Sequence, residues 1–327
     1  MKSIILVIVV MGLGAFAQQS STSLSSQQTN ESSAKIQNLQ KNDEKLKDID
    51  DEITNARLRA ALGSKSLWSV RTSMNYQGGT INRAFAERRP NYRSAVATND
   101  QSFFDANIAV KRRLGDKDSL NFGSGITAFT PFHRTLDEAT NSGDGRRNLT
   151  VSNPFLEYNI AYKMGDLQAS TALTYVHSTN DFDVNRVKTL NTVSFDQTLI
   201  AMIGTSFSYG ASLSAWKTFY RGASDFDGRG EQKLNLSAGL YPFLEYAFND
   251  KYAYRTVFGY FEFQEFMSNK EGQSQYGRFR QLTPYQSMGI GISFSRDIWV
   301  YPNIQFVPQD IRDDRTNVGL AANINIF

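Results

Sequence analysis

From Trp68 onward apolar and polar residues alternate. Trp68, Val70, Thr72, Met74 and Tyr76 share one face of an extended segment, while Ser69, Arg71, Ser73 and Asn75 share the other. A period of two marks a strand with one apolar side. The pattern recurs with Phe104, Ala106, Ile108 and Val110 against Asp105, Asn107 and Lys111. It recurs again with Leu120, Phe122, Ile126 and Ala128 against Asn121, Gly123, Gly125 and Thr127. Further strands centre near Tyr158, Leu173, Ile203, Leu213, Leu240, Val257, Ile290 and Ile304. In the last, Val318, Leu320, Ala322, Ile324 and Ile326 alternate with Gly319, Ala321, Asn323 and Asn325. The expected total is about twelve strands.

The connections sharpen the picture. Tight turns are expected at GDKD (115–118), MGD (164–166), SYG (208–210), ND (249–250) and SRD (295–297). Between them lie long polar stretches at 77–101, 131–150, 178–196, 221–232, 267–280 and 308–316. Short turns alternating with long loops are the connection pattern of an outer-membrane barrel. Hydrocarbon leaves no partner for an unpaired backbone group, so strands cross it only as a closed barrel. The last strand must therefore pair with the first.

Charge follows the same parity. Arg71, Lys111, Glu157, Lys163, Glu245 and Arg255 all fall on the polar face, and are the expected pore-lining residues. Facing lipid at the midplane, a Lys or Arg would cost about 2–4 kcal/mol. Aromatic residues gather beside the short turns: Tyr246, Phe248, Tyr252 and Tyr254; Phe294, Trp299 and Tyr301; Tyr209 and Trp216. Rings at strand ends fit an interfacial girdle. A soluble β-barrel or sandwich explains the alternation but not the girdle.

The pattern ahead of residue 64 is different. Lys2, the aliphatic run from Ile4 to Leu13 and the small-x-small exit Ala15-Phe16-Ala17 read as a secretory signal peptide over residues 1–17. Residues 18–33 are Gln/Ser-rich and have too few apolar groups to fold alone, so a flexible linker is expected. Over 34–63 the spacing becomes heptad. Leu39, Leu46, Ile53 and Ala60 take one seam position, and Asn42, Ile49 and Ala56 the other. This predicts a single coiled-coil helix through which the protein self-associates, ahead of a barrel spanning 66–327. Both barrel ends lie on the short-turn side, so the helix is placed in the periplasm. A helix that plugs its own barrel is the competing reading.

Composition adds little chemistry. There is no cysteine, so an exported chain must be held by its core or by a membrane. A net charge of +3 is too weak to argue for nucleic acid. Twenty-three Phe and fifteen Tyr favour strands. Only two histidines are present. His133 falls in a loop, and His177 falls on the lipid-facing parity in YVHSTND. DFDGRGE (225–231) has too few ligands for a calcium loop, GSG and GIG precede no helix, and no cofactor or metal set is expected.

Three resemblances bear on function. Phe327, after an alternating segment, resembles the sorting signal of outer-membrane barrels, which implies the barrel-assembly machinery as a biogenesis partner. The position of His177 resembles that of the outer-membrane phospholipases, twelve-stranded barrels with a His and a Ser two residues apart. Here Thr179 stands in the serine's place and Ser178 points the other way, so an enzyme is the remote alternative. The arrangement of signal peptide, spacer, heptad helix and porin-like barrel resembles the PopA-type proteins of predatory Bdellovibrio bacteria. That resemblance implies an oligomer of barrels around central helices, embedded in outer-membrane lipid. The expected function is a small passive pore, with a non-conducting oligomeric scaffold enclosing lipid as the alternative.

Overall fold

The computed structural model describes residues 52–62, 65–90, 99–135, 147–221, 233–267 and 278–326. Its strands are β1 (Trp68–Thr80), β2 (Phe103–Arg113), β3 (Asp118–Phe129), β4 (Phe155–Met164), β5 (Leu167–His177) and β6 (Thr189–Ile203). They continue with β7 (Phe207–Tyr220), β8 (Lys233–Ala247), β9 (Tyr252–Gly259, prolonged by Phe261–Met267), β10 (Tyr285–Ser293), β11 (Ile298–Phe306) and β12 (Asn317–Ile326). Shorter pieces widen the sheet at Leu149–Val151 and Arg278–Gln281. Arg88–Pro90 pairs with Asn99–Gln101 as a ribbon in the first long loop.

Each strand pairs antiparallel with its sequence neighbour, and β12 returns to β1 with Val70 opposite Ile326 and Tyr76 opposite Leu320. The result is a closed, twelve-stranded antiparallel barrel. Closure leaves no unpaired sheet edge, as a spanning sheet requires. Among the described residues no helix is long and apolar enough to cross a membrane.

The outer face is an apolar band. Ile108, Val110, Phe122, Leu156, Leu173, Leu244, Ile290 and Leu320 are all exposed on it. So many large apolar side chains on one surface mark a face built for lipid. Tyr209, Tyr246, Phe248, Tyr252 and Phe294 are exposed beside the short turns, as expected of a girdle.

Several sequence expectations are corrected. The third short turn is at 204–206, not SYG 208–210. Gly204 there sits at φ 62°, a left-handed conformation that glycine adopts without penalty, and Gly165 does the same at φ 61° in the second turn. The third long loop is shorter than 178–196, because β6 begins at Thr189. Trp299 and Tyr301 do not join the girdle. Each is 4% exposed, and they stack inside the barrel with ring centroids 5.5 Å apart. Trp216 lies mid-strand, on the same parity as Ser214, whose hydroxyl bonds inward to Asp196.

The end of the expected N-terminal helix is interrupted among the described residues. Ile53, Thr54 and Asn55 are not helical, and a new seven-residue helix, α1 (Ala56–Leu62), follows them. Ile53 and Leu58 pack against Ala161, Ile200, Tyr241, Phe243, Val257 and Tyr285 of the barrel's inner wall. Ile53, expected in the coiled-coil seam, is buried in the barrel's inner wall. Leu39, Asn42, Leu46 and Ile49 lie outside the described residues, as do Phe327 and the DFDGRGE segment.

Candidate functional site: the barrel lumen

Asn55 sets the position of α1. Its Oδ1 accepts the backbone N–H of Leu58 at 3.0 Å, an N-cap that satisfies one of the helix's orphan donors. Its Nδ2 donates to Glu245 Oε2 of β8 at 3.0 Å. On the same side, Gln168 Oε1 of β5 accepts the N–H groups of Thr54 and Asn55 at 2.9 and 2.8 Å, and Gln168 Nε2 donates to Thr54 Oγ1 at 2.7 Å. The other end of α1 is held equally. Lys111 Nζ of β2 donates to the Leu62 carbonyl, and Asn325 Nδ2 of β12 donates to the Ala60 carbonyl at 3.1 Å. A cation on the last carbonyls also suits the helix dipole.

These four wall residues lie beside the short turns. The helix, about 10 Å long at 1.5 Å per residue, thus runs from the β5–β8 wall to the β2–β12 wall. It forms a crossbar at the short-turn mouth.

Charge is neutralised within the wall. Glu245 pairs with Arg255, accepts Ser208 Oγ at 3.3 Å, and lies 3.5 Å from Arg57 Nε. Arg57, 2% exposed, lays its guanidinium 4.1 Å from the Phe243 ring, and Arg255 lies 4.5 Å from the same ring. The Arg57 nitrogens have no hydrogen-bond acceptor, so cation–π contact and one shared carboxylate hold the group. On the other wall Arg71 Nη1 meets Glu157 Oε1 at 2.6 Å, and Glu157 also accepts Asn121 Nδ2 at 2.9 Å. That pair reaches from β1 over β2 and β3 to β4. Ala109 and Gly123, which follow Arg71 in register, leave the room; a Cβ at Gly123 would strike the backbone of β2.

Beyond the crossbar is a cavity of about 370 Å³. Leu58 and Leu62 contribute to its lining, with Arg71, Glu157 and Asn107 on one wall and Thr174, Ser194 and Asp196 on another. Of the six expected pore-lining residues, the structure brings Arg71 and Glu157 into this cavity. Glu245 and Arg255 are buried behind the crossbar, Lys111 caps it, and Lys163 is exposed at the short-turn end of β4.

Sequence reasoning missed Gln168, Asn325 and Asp196. Asp196 falls in the long polar stretch 178–196, although Ser194, Asp196 and Thr198 alternate with Phe195, Gln197 and Leu199.

His177 is exposed on the outer face and stacks on Tyr175 with centroids 6.4 Å apart. Its ring has no hydrogen-bond partner among the described residues, whereas Ser178 is buried. A nucleophile–base pair is not assembled there.

No protein-family profile matches the chain, and no curated protein matches it by sequence. Among solved structures, an outer membrane channel from Pseudomonas putida F1 superposes with a TM-score of 0.53 at 10% identity, over 81% of this chain and 98% of that one. The NanC porin gives 0.40 at 9% identity, covering 78% and 98%. The KdgM porin in complex with disordered oligogalacturonate gives 0.39 at 8%, covering 79% and 98%. The first likeness shows a shared barrel fold.

Proposed function

We propose that the protein is a porin-like barrel of the bacterial outer membrane whose own N-terminal segment closes the short-turn mouth. The crossbar from Asn55 to Leu62, fastened to four strands, carries this reading. Solutes reach the cavity from the long-loop side, and passage requires the crossbar to shift. The fastenings combine polar bonds, each worth about 1 kcal/mol net, with the burial of Ile53 and Leu58 in the inner wall, so shifts of the crossbar are rare. Displacement therefore leaves a wall whose own pairs, Arg255–Glu245 and Arg71–Glu157, remain intact.

Planar-bilayer conductance tests this. Full-length protein should give rare, small openings, and protein lacking residues 18–62 should give frequent, reproducible, larger ones. Equal conductance from the two would overturn the closed-mouth reading.

A second reading has its own support. The closed mouth equally suits a non-conducting scaffold that self-associates in lipid on the PopA pattern. With Ile53 committed to the inner wall, self-association falls to Leu39, Asn42, Leu46 and Ile49, on the periplasmic side. Silence from both proteins, together with a defined oligomer, would decide for the scaffold.

A further inference from the structure

Among the described residues that line the cavity the cations have ionic partners, and of the two carboxylates, Glu157 and Asp196, only Glu157 has one. Arg71 is matched to Glu157, Arg255 and Arg57 share Glu245, and Lys111 caps α1. Asp196 of β6 lines the cavity, accepts one hydrogen bond, from Ser214 Oγ, and forms no ion pair among the described residues. Its same-face neighbours on β5 and β6 are small, and all but Ala172 carry a hydroxyl. Ser194 and Thr198 flank it along β6, and Ala172, between Ser170 and Thr174, stands opposite it on β5. An ionised carboxylate has several acceptor sites, and one hydrogen bond leaves most of them free.

We propose that Asp196 and the hydroxyls around it form a binding site for a small solute bearing a single ammonium group. An ammonium has three donors and no acceptor, matching a carboxylate ringed by hydroxyl oxygens. These oxygens lie on one wall only. That suits a donor approaching from the cavity better than an alkali or alkaline-earth ion, which takes oxygens on all sides. The volume argues likewise: about 370 Å³ falls in the range of small-molecule pockets and is many times the roughly 30 Å³ share of one water. The charge limit comes from Arg71 and Arg57, which line the same cavity. A second positive charge on the solute would meet like charge in a shielded space.

The proposal deepens the channel reading by naming a solute class, but its test needs no conduction. Folded, detergent-solubilised full-length protein is titrated by calorimetry with ethanolamine, and separately with acetate, ethylene glycol and potassium chloride as anionic, neutral and ionic probes. Saturable binding of ethanolamine alone is expected. Asp196→Asn, which keeps the shape and the Ser214 contact, should weaken it about tenfold or more. Ala172→Leu should abolish it by filling the space opposite the carboxylate, and decides the matter if Asp196→Asn does not fold. No ethanolamine binding, binding unchanged by the folded variants, or equal binding of acetate, glycol or potassium would overturn the proposal. Ethanolamine binding to a protein that never conducts would overturn the channel reading and keep this site.

Discussion

Asn55 and Glu245, 190 positions apart in sequence, meet in the lumen at 3.0 Å. The same asparagine caps α1 through Leu58. Replacing it with alanine removes both links. The cap alone is worth about 1 kcal/mol. Glu245 keeps Arg255 and Ser208, so the wall survives. Asn55→Ala should leave heat-modifiable barrel migration unchanged while raising open probability in bilayers and speeding proteolysis between residues 53 and 62. A variant as silent and protease-resistant as the parent would mean that the crossbar is fastened elsewhere.

Arg71 and Glu157 carry a second prediction. Both side chains are largely buried, and their contact spans two intervening strands. Truncating one partner strands a charge, at about 3–5 kcal/mol for a buried pair. Glu157→Ala should therefore destabilise the barrel by several times more than the double change Arg71→Met with Glu157→Met. Urea unfolding in lipid vesicles reads the difference. Equal losses would show that the cavity's water already compensates the lone guanidinium.

The outer face can be tested at Leu173, exposed near the middle of β5. Leu173→Arg should cost about 2–4 kcal/mol in vesicles, because the charge enters hydrocarbon. Ser73→Arg, on the cavity side of β1, should cost far less. Reversal of that order would place the apolar band against something other than lipid.

The strands and their closure were legible in the sequence because a lipid-facing barrel constrains every second residue. That rule is local and needs no knowledge of partners. It even contained the facing of Trp299 and Tyr301, which share parity with Asn303 and Gln305 while Ile298, Val300 and Ile304 oppose them. Proximity to a turn suggested a girdle, and parity was the better guide. The crossbar was not legible in the same way. Ile53 keeps heptad spacing from Leu46 whether or not the helix continues between them. What accompanies the break at 53–55 is Gln168 of β5, which takes the N–H groups of Thr54 and Asn55. One local sign existed: Asn55 immediately precedes ARLRAAL, as an N-cap precedes a helix. Lys111 has the pattern of a pore charge for a similar reason. Its parity was visible, but its acceptor at Leu62 was not.

The division of the heptad seam yields the last prediction. Leu39, Asn42, Leu46 and Ile49 are free to associate between copies only if Ile53 is not needed there, and Ile53 is fully buried in the wall. The two parts of the seam should then respond differently to the same insult. Asp at both Leu46 and Ile49 puts charge into a coiled-coil core and should convert an oligomer to monomers. Barrel folding and the conductance of each barrel should not change. Ile53→Asp instead puts an unpaired carboxylate among Leu58, Ile200 and Phe243. It should open the lumen or destabilise the fold, with the oligomer unaffected wherever the protein still folds. Light scattering on the detergent-solubilised variants separates these outcomes. If Ile53→Asp dissociates the oligomer while conductance stays at the parental level, the seam runs unbroken through residue 53 and the crossbar is not the working state of the lumen.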